Sequence, residues 1–171
     1  MRISDNRMDP VKARRRRGKP VLAVTSGEPG GVGPEIIARF FAGFRTRRST
    51  ALVIGSMNAL GPVFERYGAE VPVIDTRAGG TRRSAITDLV TAASRELAGR
   101  SGGVVVLDTA RGDRFSVGRD SRGGGHHSGV ALEAACRLAI NGVVEGIVTA
   151  PISKHSLKLA GYKFTGHTEM F

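Results

Sequence analysis

Val21 to Glu35 reads VLAVTSGEPGGVGPE: a short aliphatic and β-branched run, a glycine-rich turn, then Pro34-Glu35 opening a segment where Ile36, Ile37, Phe40 and Phe41 recur at helical spacing. Proline costs nothing in a first helical turn, because its missing N–H would have no partner there. A strand that feeds a glycine turn and then a helix is the first half of a βαβ unit. The rest of the chain repeats the alternation, with strand-like runs at Ala51–Gly55, Val71–Asp75, Val104–Asp108 and Gly146–Thr149. Between them, one helix is expected over 57–67, and another carries Ile86, Leu89, Val90, Ala93 and Leu97 on one face and ends near Gly99. The pattern predicts an α/β fold built on a parallel sheet.

Composition agrees with a folded enzyme. The chain has 171 residues, 40% of them hydrophobic, which is enough for a sizeable core. Its single cysteine, Cys136, excludes an internal disulfide framework and reads as a small packed hydrophobe. No apolar run approaches a membrane span, and Val21–Val24 is too short for a signal-peptide core, so a cytoplasmic protein is expected, with no membrane partner. The net charge of +11 is partly local: Lys12 and Arg14 to Arg17 crowd a segment without hydrophobic periodicity, expected to be a disordered basic tail over residues 1–19. With no tryptophan and no interleaved aromatics, the basic balance points to an anionic small molecule rather than nucleic acid.

Arg111 to Gly125, rich in Gly, Arg, Asp and Ser, breaks the alternation and reads as a domain boundary or mobile loop. It divides the chain into a first α/β domain over 20–115 and the start of a second over 116–171. After it, Ser128 is placed to cap a helix carrying Val130, Ala134 and Leu138, closed by Asn141-Gly142.

Two segments carry candidate chemistry. In Thr25–Glu35, Gly27, Gly30, Gly31 and Gly33 allow close backbone approach, and the following helix start favours an anion. The loop lacks the ending of a Walker loop and the third glycine of a dinucleotide fingerprint, so a plain tight turn explains it as well as a ligand loop does. In TAPISKHSLKLAGYKFTGHTEMF, Thr149–Phe171, a strand delivers Lys154 to the carboxyl edge of the sheet, where open α/β sheets bind ligands. Lys154 suits a phosphate or carboxylate, or proton transfer; an exposed helix-start lysine is the plain alternative. His167, with Thr168 and Glu169, is placed to present an imidazole to a divalent metal, and Glu169 to orient it. His126, His127 and His155 read as structural or solvated.

Together, TSGEPGGVGPEII and TAPISKxxLxxAGYxFTGHTE resemble the two N-terminal signature blocks of the 4-hydroxythreonine-4-phosphate dehydrogenase (PdxA) family in order and separation. The family usually carries Asp where Glu28 stands. The resemblance implies a three-layer α/β/α fold like that of isocitrate and isopropylmalate dehydrogenases, cut to its front half because members are about twice this length. It further implies a homodimer with a cleft completed between subunits, or a complementary C-terminal half. The implied reaction is NAD-dependent, divalent-metal-dependent oxidation of 4-phosphohydroxy-L-threonine, with decarboxylation, in pyridoxal phosphate biosynthesis; the metal would be Zn, Mg or Co. Gly27, Glu28, Lys154 and Thr168 would face substrate, Lys154 would also serve catalysis, and His167 matches the family's first metal-binding histidine. The family's other metal ligands are expected beyond Phe171, so activity of this chain by itself is in question. Relatives that oxidise threonate or erythronate phosphates, and a noncatalytic anion-binding fragment, are the alternatives.

Overall fold

The computed structural model describes residues 19–43, 48–74, 82–98, 102–109, 114–164 and 166–171, with the backbone alone for 82–88. In chain order the elements are β1 (Val21–Thr25), α1 (Gly33–Gly43), β2 (Thr50–Gly55), α2 (Met57–Arg66), β3 (Val73–Ile74), α3 (Arg82–Leu97), β4 (Gly103–Asp108), α4 (Arg122–Ile140), β5 (Gly146–Thr149), α5 (Lys154–Leu159) and α6 (His167–Met170). The described strands form one sheet in the order β3-β4-β2-β1-β5, every pair parallel. This is the expected α/β fold. The basic run Arg14–Arg17, the cap at Gly99 and the end of the third strand at Asp75 lie outside the described residues.

The pleat sorts side chains into two cores. Val21, Ala23, Leu52, Ile54, Val105 and Leu107 face α3 and α4, where Leu89, Ala93, Ala131, Ala135 and Leu138 meet them. Val53 and Val106 face the other way, onto Ile37 and Ala38 of α1 and Leu60 and Phe64 of α2. Each fully buried leucine contributes about 2 kcal/mol relative to leaving it in water. Because both faces are covered, β2 is buried at every position, as a central parallel strand must be. Asp108, at the end of β4, accepts the Met57 N–H at 2.9 Å and so caps α2, a task the Ser56 side chain does not perform.

Two expectations change. The third strand is only Val73–Ile74: Pro72 has no N–H to give, although its carbonyl accepts from Val106 at 2.8 Å. The helix expected to be capped by Ser128 begins about two turns earlier, at Arg122, with Ser121 as the cap accepting the Gly124 N–H at 3.0 Å. Its glycines, which normally discourage a helix, are there because of what touches them. A Cβ on Gly123 would overlap the Arg114 carbonyl, on Gly124 the Glu28 carboxylate, on Gly125 the Ser156 carbonyl, and on Gly129 the Tyr162 ring. Ser128 is inside the helix, its hydroxyl placed to donate to the carbonyls of Gly124 (3.0 Å) and Gly27 (3.1 Å). The helix ends where expected, at Asn141, with Gly142 following at φ +65°.

Candidate active site

β1 and β5 lie side by side with Thr25 opposite Thr149, so the glycine turn and the TAPIS segment leave the same edge of the sheet together. From β1 the chain crosses through α1 to β2 on one side, while β5 lies on the other. That reversal opens a crevice at the carboxyl ends of the strands. The two segments are joined through their backbones: Ala150 N–H donates to Thr25 at 3.1 Å, and Glu28 N–H to Pro151 at 2.9 Å.

Most of the glycine turn serves this packing. Gly27, at φ +71°, lies so close to the Pro151 carbonyl that a Cβ would overlap it. Gly30 lies against the Ser116 carbonyl and Gly33 against the Ser26 carbonyl in the same way. Gly31, by contrast, is exposed at the mouth of a cleft. Close protein packing is therefore a sufficient reason for three of the four glycines.

Glu28 is 7% exposed, and neither carboxylate oxygen has a hydrogen-bond partner among the described residues. Burial pushes its pKa above the ordinary carboxylate value; the Ser156 hydroxyl and Gly30 N–H draw it partway back, Asp120 adds a further upward push, and Ser128 a downward one. The serines stand beside the carboxylate, but the Ser156 hydroxyl is placed to donate to Asp120 and that of Ser128 to main-chain carbonyls.

Lys154 opens α5, exposed, with Ser153 as the helix cap accepting the Ser156 N–H at 3.1 Å. Its stem runs beside Gly166, whose Cβ position would be 4.0 Å from Lys154 Cε. Lys154, Gly166, His167, Thr168 and Glu169 line one cleft of about 410 Å³ with Pro151 and Ile152. His167 is half-buried, and its Nε2 is buried with no hydrogen-bond partner among the described residues. A buried ring nitrogen left unsatisfied costs about 1–3 kcal/mol. Lys154, His167 and Thr168 thus line the same cleft. Glu28 and Gly27 do not line this cleft; Glu28 lines an adjoining one of about 320 Å³ with Gly31, Arg119, Asp120 and Ser153. Pro151 and Ile152 form the wall shared by the two.

For a divalent metal, this cleft supplies the imidazole of His167, and nowhere among the described residues do three His, Cys, Asp or Glu side chains gather as a ligand set. The donor set of the described residues does not by itself fit a metal centre. His127 is buried edge-on to Phe115, with ring centroids 5.9 Å apart, and His155 is exposed beside Asp120, whose pKa it lowers. A separate groove of about 400 Å³ between α1 and the β1–β5 edge is walled by Ile36, Phe40 and Val148, and lacks charged groups.

The motif reading overlooked the group formed by Asp120, Ser121, Ser153 and Ser156. Ser121 N–H donates to Ser156 Oγ at 3.1 Å, and Ser156 Oγ donates to Asp120 Oδ1 at 3.2 Å. The Ser153 hydroxyl holds the Asp120 carboxyl below the usual range; burial opposes it, and the Ser156 hydroxyl and nearby His155 add lesser downward effects. The one signal in the sequence was the serine pair at 153 and 156, three apart at a helix start.

A doubly wound α/β layer with a lysine, an imidazole and a hydroxyl lining one cleft beside the switch point is the architecture of open-sheet α/β proteins, whose ligand sites form at that edge. The model of the family described as "Pyridoxal phosphate biosynthetic protein PdxA" matches residues 47–171, and the chain belongs to that family. It is 34% identical over 156 residues to the D-threonate 4-phosphate dehydrogenase of Bordetella bronchiseptica, covering 88% of this chain and 40% of the relative. It is likewise 34% identical over 151 residues to the 4-hydroxythreonine-4-phosphate dehydrogenase of Beijerinckia indica, covering 87% and 40%. The crystal structure of 4-hydroxythreonine-4-phosphate dehydrogenase from Klebsiella pneumoniae superposes with a TM-score of 0.65 at 26% identity, covering 89% of this chain and 42% of that one. The chain spans about two fifths of the length of these curated relatives. The resemblance drawn from Thr25–Glu35 and Thr149–Phe171 holds, and so does the fold it implied. Among the described residues, no helix is long and apolar enough to cross a membrane.

Proposed function

We propose that the cleft between Lys154 and His167 binds a four-carbon phosphorylated hydroxy acid, and that the chain forms part of an NAD-linked dehydrogenase acting on it. The observation that carries this reading is the buried Nε2 of His167, without a hydrogen-bond partner among the described residues, in one cleft with the Lys154 ammonium. Lys154 offers a mobile positive charge for phosphate or carboxylate, Thr168 a hydroxyl, and His167 a nitrogen able to take a hydrogen bond from the reacting alcohol. NAD, when bound, would supply the hydride acceptor, and in this reading His167 Nε2 takes the hydroxyl proton. Where the product is a 3-keto acid, loss of carbon dioxide leaves a carbanion that takes a proton, and Lys154 is the donor this chain provides.

4-Phosphohydroxy-L-threonine and D-threonate 4-phosphate share the carboxylate, the hydroxyl and the phosphate, and differ in an amine against a hydroxyl. The Beijerinckia and Bordetella relatives, named for these two chemistries, are equally similar to this chain. A single donor nitrogen makes His167 a substrate ligand in this reading; a divalent metal would need donors from a further chain segment or a second subunit.

The test is calorimetric binding of each phosphorylated acid to the chain, followed by NADH formation at 340 nm with each acid, NAD and Mg²⁺. Binding that His167→Ala and Lys154→Ala each weaken by about tenfold supports the reading. Binding indifferent to both substitutions would overturn it. Binding without NADH formation would leave an anion-binding role alone.

A further inference from the structure

We propose that Asp120 is a positioning residue for Lys154: from the entry to α4 its carboxylate takes the hydrogen bond of Ser156, two residues past Lys154 in α5, and so sets where the ammonium stands in the cleft. This rests on the reading of Lys154 as the group that binds the anion.

The need arises from α5 itself. A six-residue helix does not hold its own shape in water, and Lys154 sits in its first turn with an exposed, flexible stem. The direction of that stem depends on what fixes the turn. Leu157 and Ser156 are fully buried and anchor the inner side, where Gly125 of α4 lies against the Ser156 carbonyl. The outer side is held by hydrogen bonds. Ser153 Oγ accepts the Ser156 N–H at 3.1 Å and so closes the turn that carries Lys154. Ser156 Oγ accepts the Ser121 N–H at 3.1 Å and donates to Asp120 Oδ1 at 3.2 Å. The Ser156 hydroxyl therefore gives once and accepts once, with its proton on the Asp120 carboxylate. Hydrogen bonds to an ionised acceptor are the stronger kind, so Asp120 is better suited than a neutral amide to hold Ser156.

Asp120 lines the adjoining cleft with Glu28 and Arg119 and not the cleft of Lys154 and His167. Its action on a bound anion therefore passes through the turn it holds. This separates the proposal from simple electrostatics. Removing a negative charge near an anion site tightens anion binding, whereas removing a positioning residue loosens it.

The experiment measures the Kd of D-threonate 4-phosphate and of 4-phosphohydroxy-L-threonine by calorimetry, using the full chain and its Lys154→Ala, Asp120→Asn, Asp120→Glu and Lys154→Ala/Asp120→Asn variants, each well below its melting temperature. Expected are about tenfold weaker binding for Lys154→Ala and about three- to tenfold for Asp120→Asn, with part of the loss recovered in Asp120→Glu. The double variant should bind no more weakly than Lys154→Ala, because Asp120 has no route to the ligand once Lys154 is gone. Unchanged or tighter binding in Asp120→Asn, with Lys154→Ala weakened, overturns the positioning role and leaves the cleft reading standing. An Asp120→Asn loss that persists undiminished without Lys154 also overturns it. An ineffective Lys154→Ala, or no binding by the unaltered chain, removes the cleft reading and the positioning role together.

Discussion

The main-chain N–H of Glu28 donates to the carbonyl of Pro151 at 2.9 Å and ties the glycine turn to the segment that presents Lys154. The bond forms only because Gly27, just before it, takes φ +71° with no Cβ to meet that same carbonyl. Gly27→Ala is expected to destabilise the fold by about 3 kcal/mol, as backbone strain and overlap add. Gly142→Ala, at φ +65° with open space around it, carries the strain alone and should cost about 1–2 kcal/mol. Urea unfolding of the two variants checks this; equal losses would mean that the Pro151 contact does not constrain Gly27.

Gly124 and Glu28 form a second such pair, with the carboxylate occupying the position of the absent Cβ. Gly124→Ala should cost about 2 kcal/mol in the native background and distinctly less in a Glu28→Ala background, where the colliding oxygen is gone. A double-mutant cycle from denaturant midpoints measures the difference. Strict additivity would show that α4 does not rest on Glu28.

The buried Glu28 carboxyl also gives stability a pH dependence of definite sign. Its folded pKa lies above the ordinary value of 4.5, chiefly through burial, so the folded state holds the proton more tightly than the unfolded chain. Stability therefore falls as pH rises from about the unfolded value through the folded one, and stays reduced above it. Glu28→Gln removes this linkage. The melting temperature of Glu28→Gln relative to the unaltered protein should climb across that window and level off above it. A difference constant from pH 4 to 8 would rule out a raised Glu28.

Much of the fold was legible because the chain states it locally. Val21–Thr25 and Gly146–Thr149 match the observed strands to the residue, and Met57 and Asn141-Gly142 bound helices where their chemistry says they should. The start of α4 was hidden because the reasons for Gly123, Gly124 and Gly125 lie at Arg114, Glu28 and Ser156, contacts remote in sequence. A glycine run reads as a loop unless its neighbours in space are known. For the site, Lys154, His167 and Thr168 are close in sequence and were found together. Asp120 was missed, since its tie to Ser156 crosses 36 positions and carries no motif.

His167 pits stability against binding. Its Nε2 is buried and without a partner, so the folded protein bears a desolvation cost that nothing among the described residues offsets. An apolar side chain of similar size carries no such cost. His167→Leu is therefore expected to raise stability by about 1 kcal/mol while weakening binding of the phosphorylated acid about tenfold, the usual sign of a group kept for its ligand. Thermal melting and calorimetry on the same sample read both effects, and a Mg²⁺ or Zn²⁺ titration alongside tests the other use of the nitrogen. If metal affinity falls with His167→Leu while binding of the acid in metal-free buffer is unchanged, the nitrogen serves a shared metal site. Lower stability with undiminished binding would make His167 an ordinary packing residue.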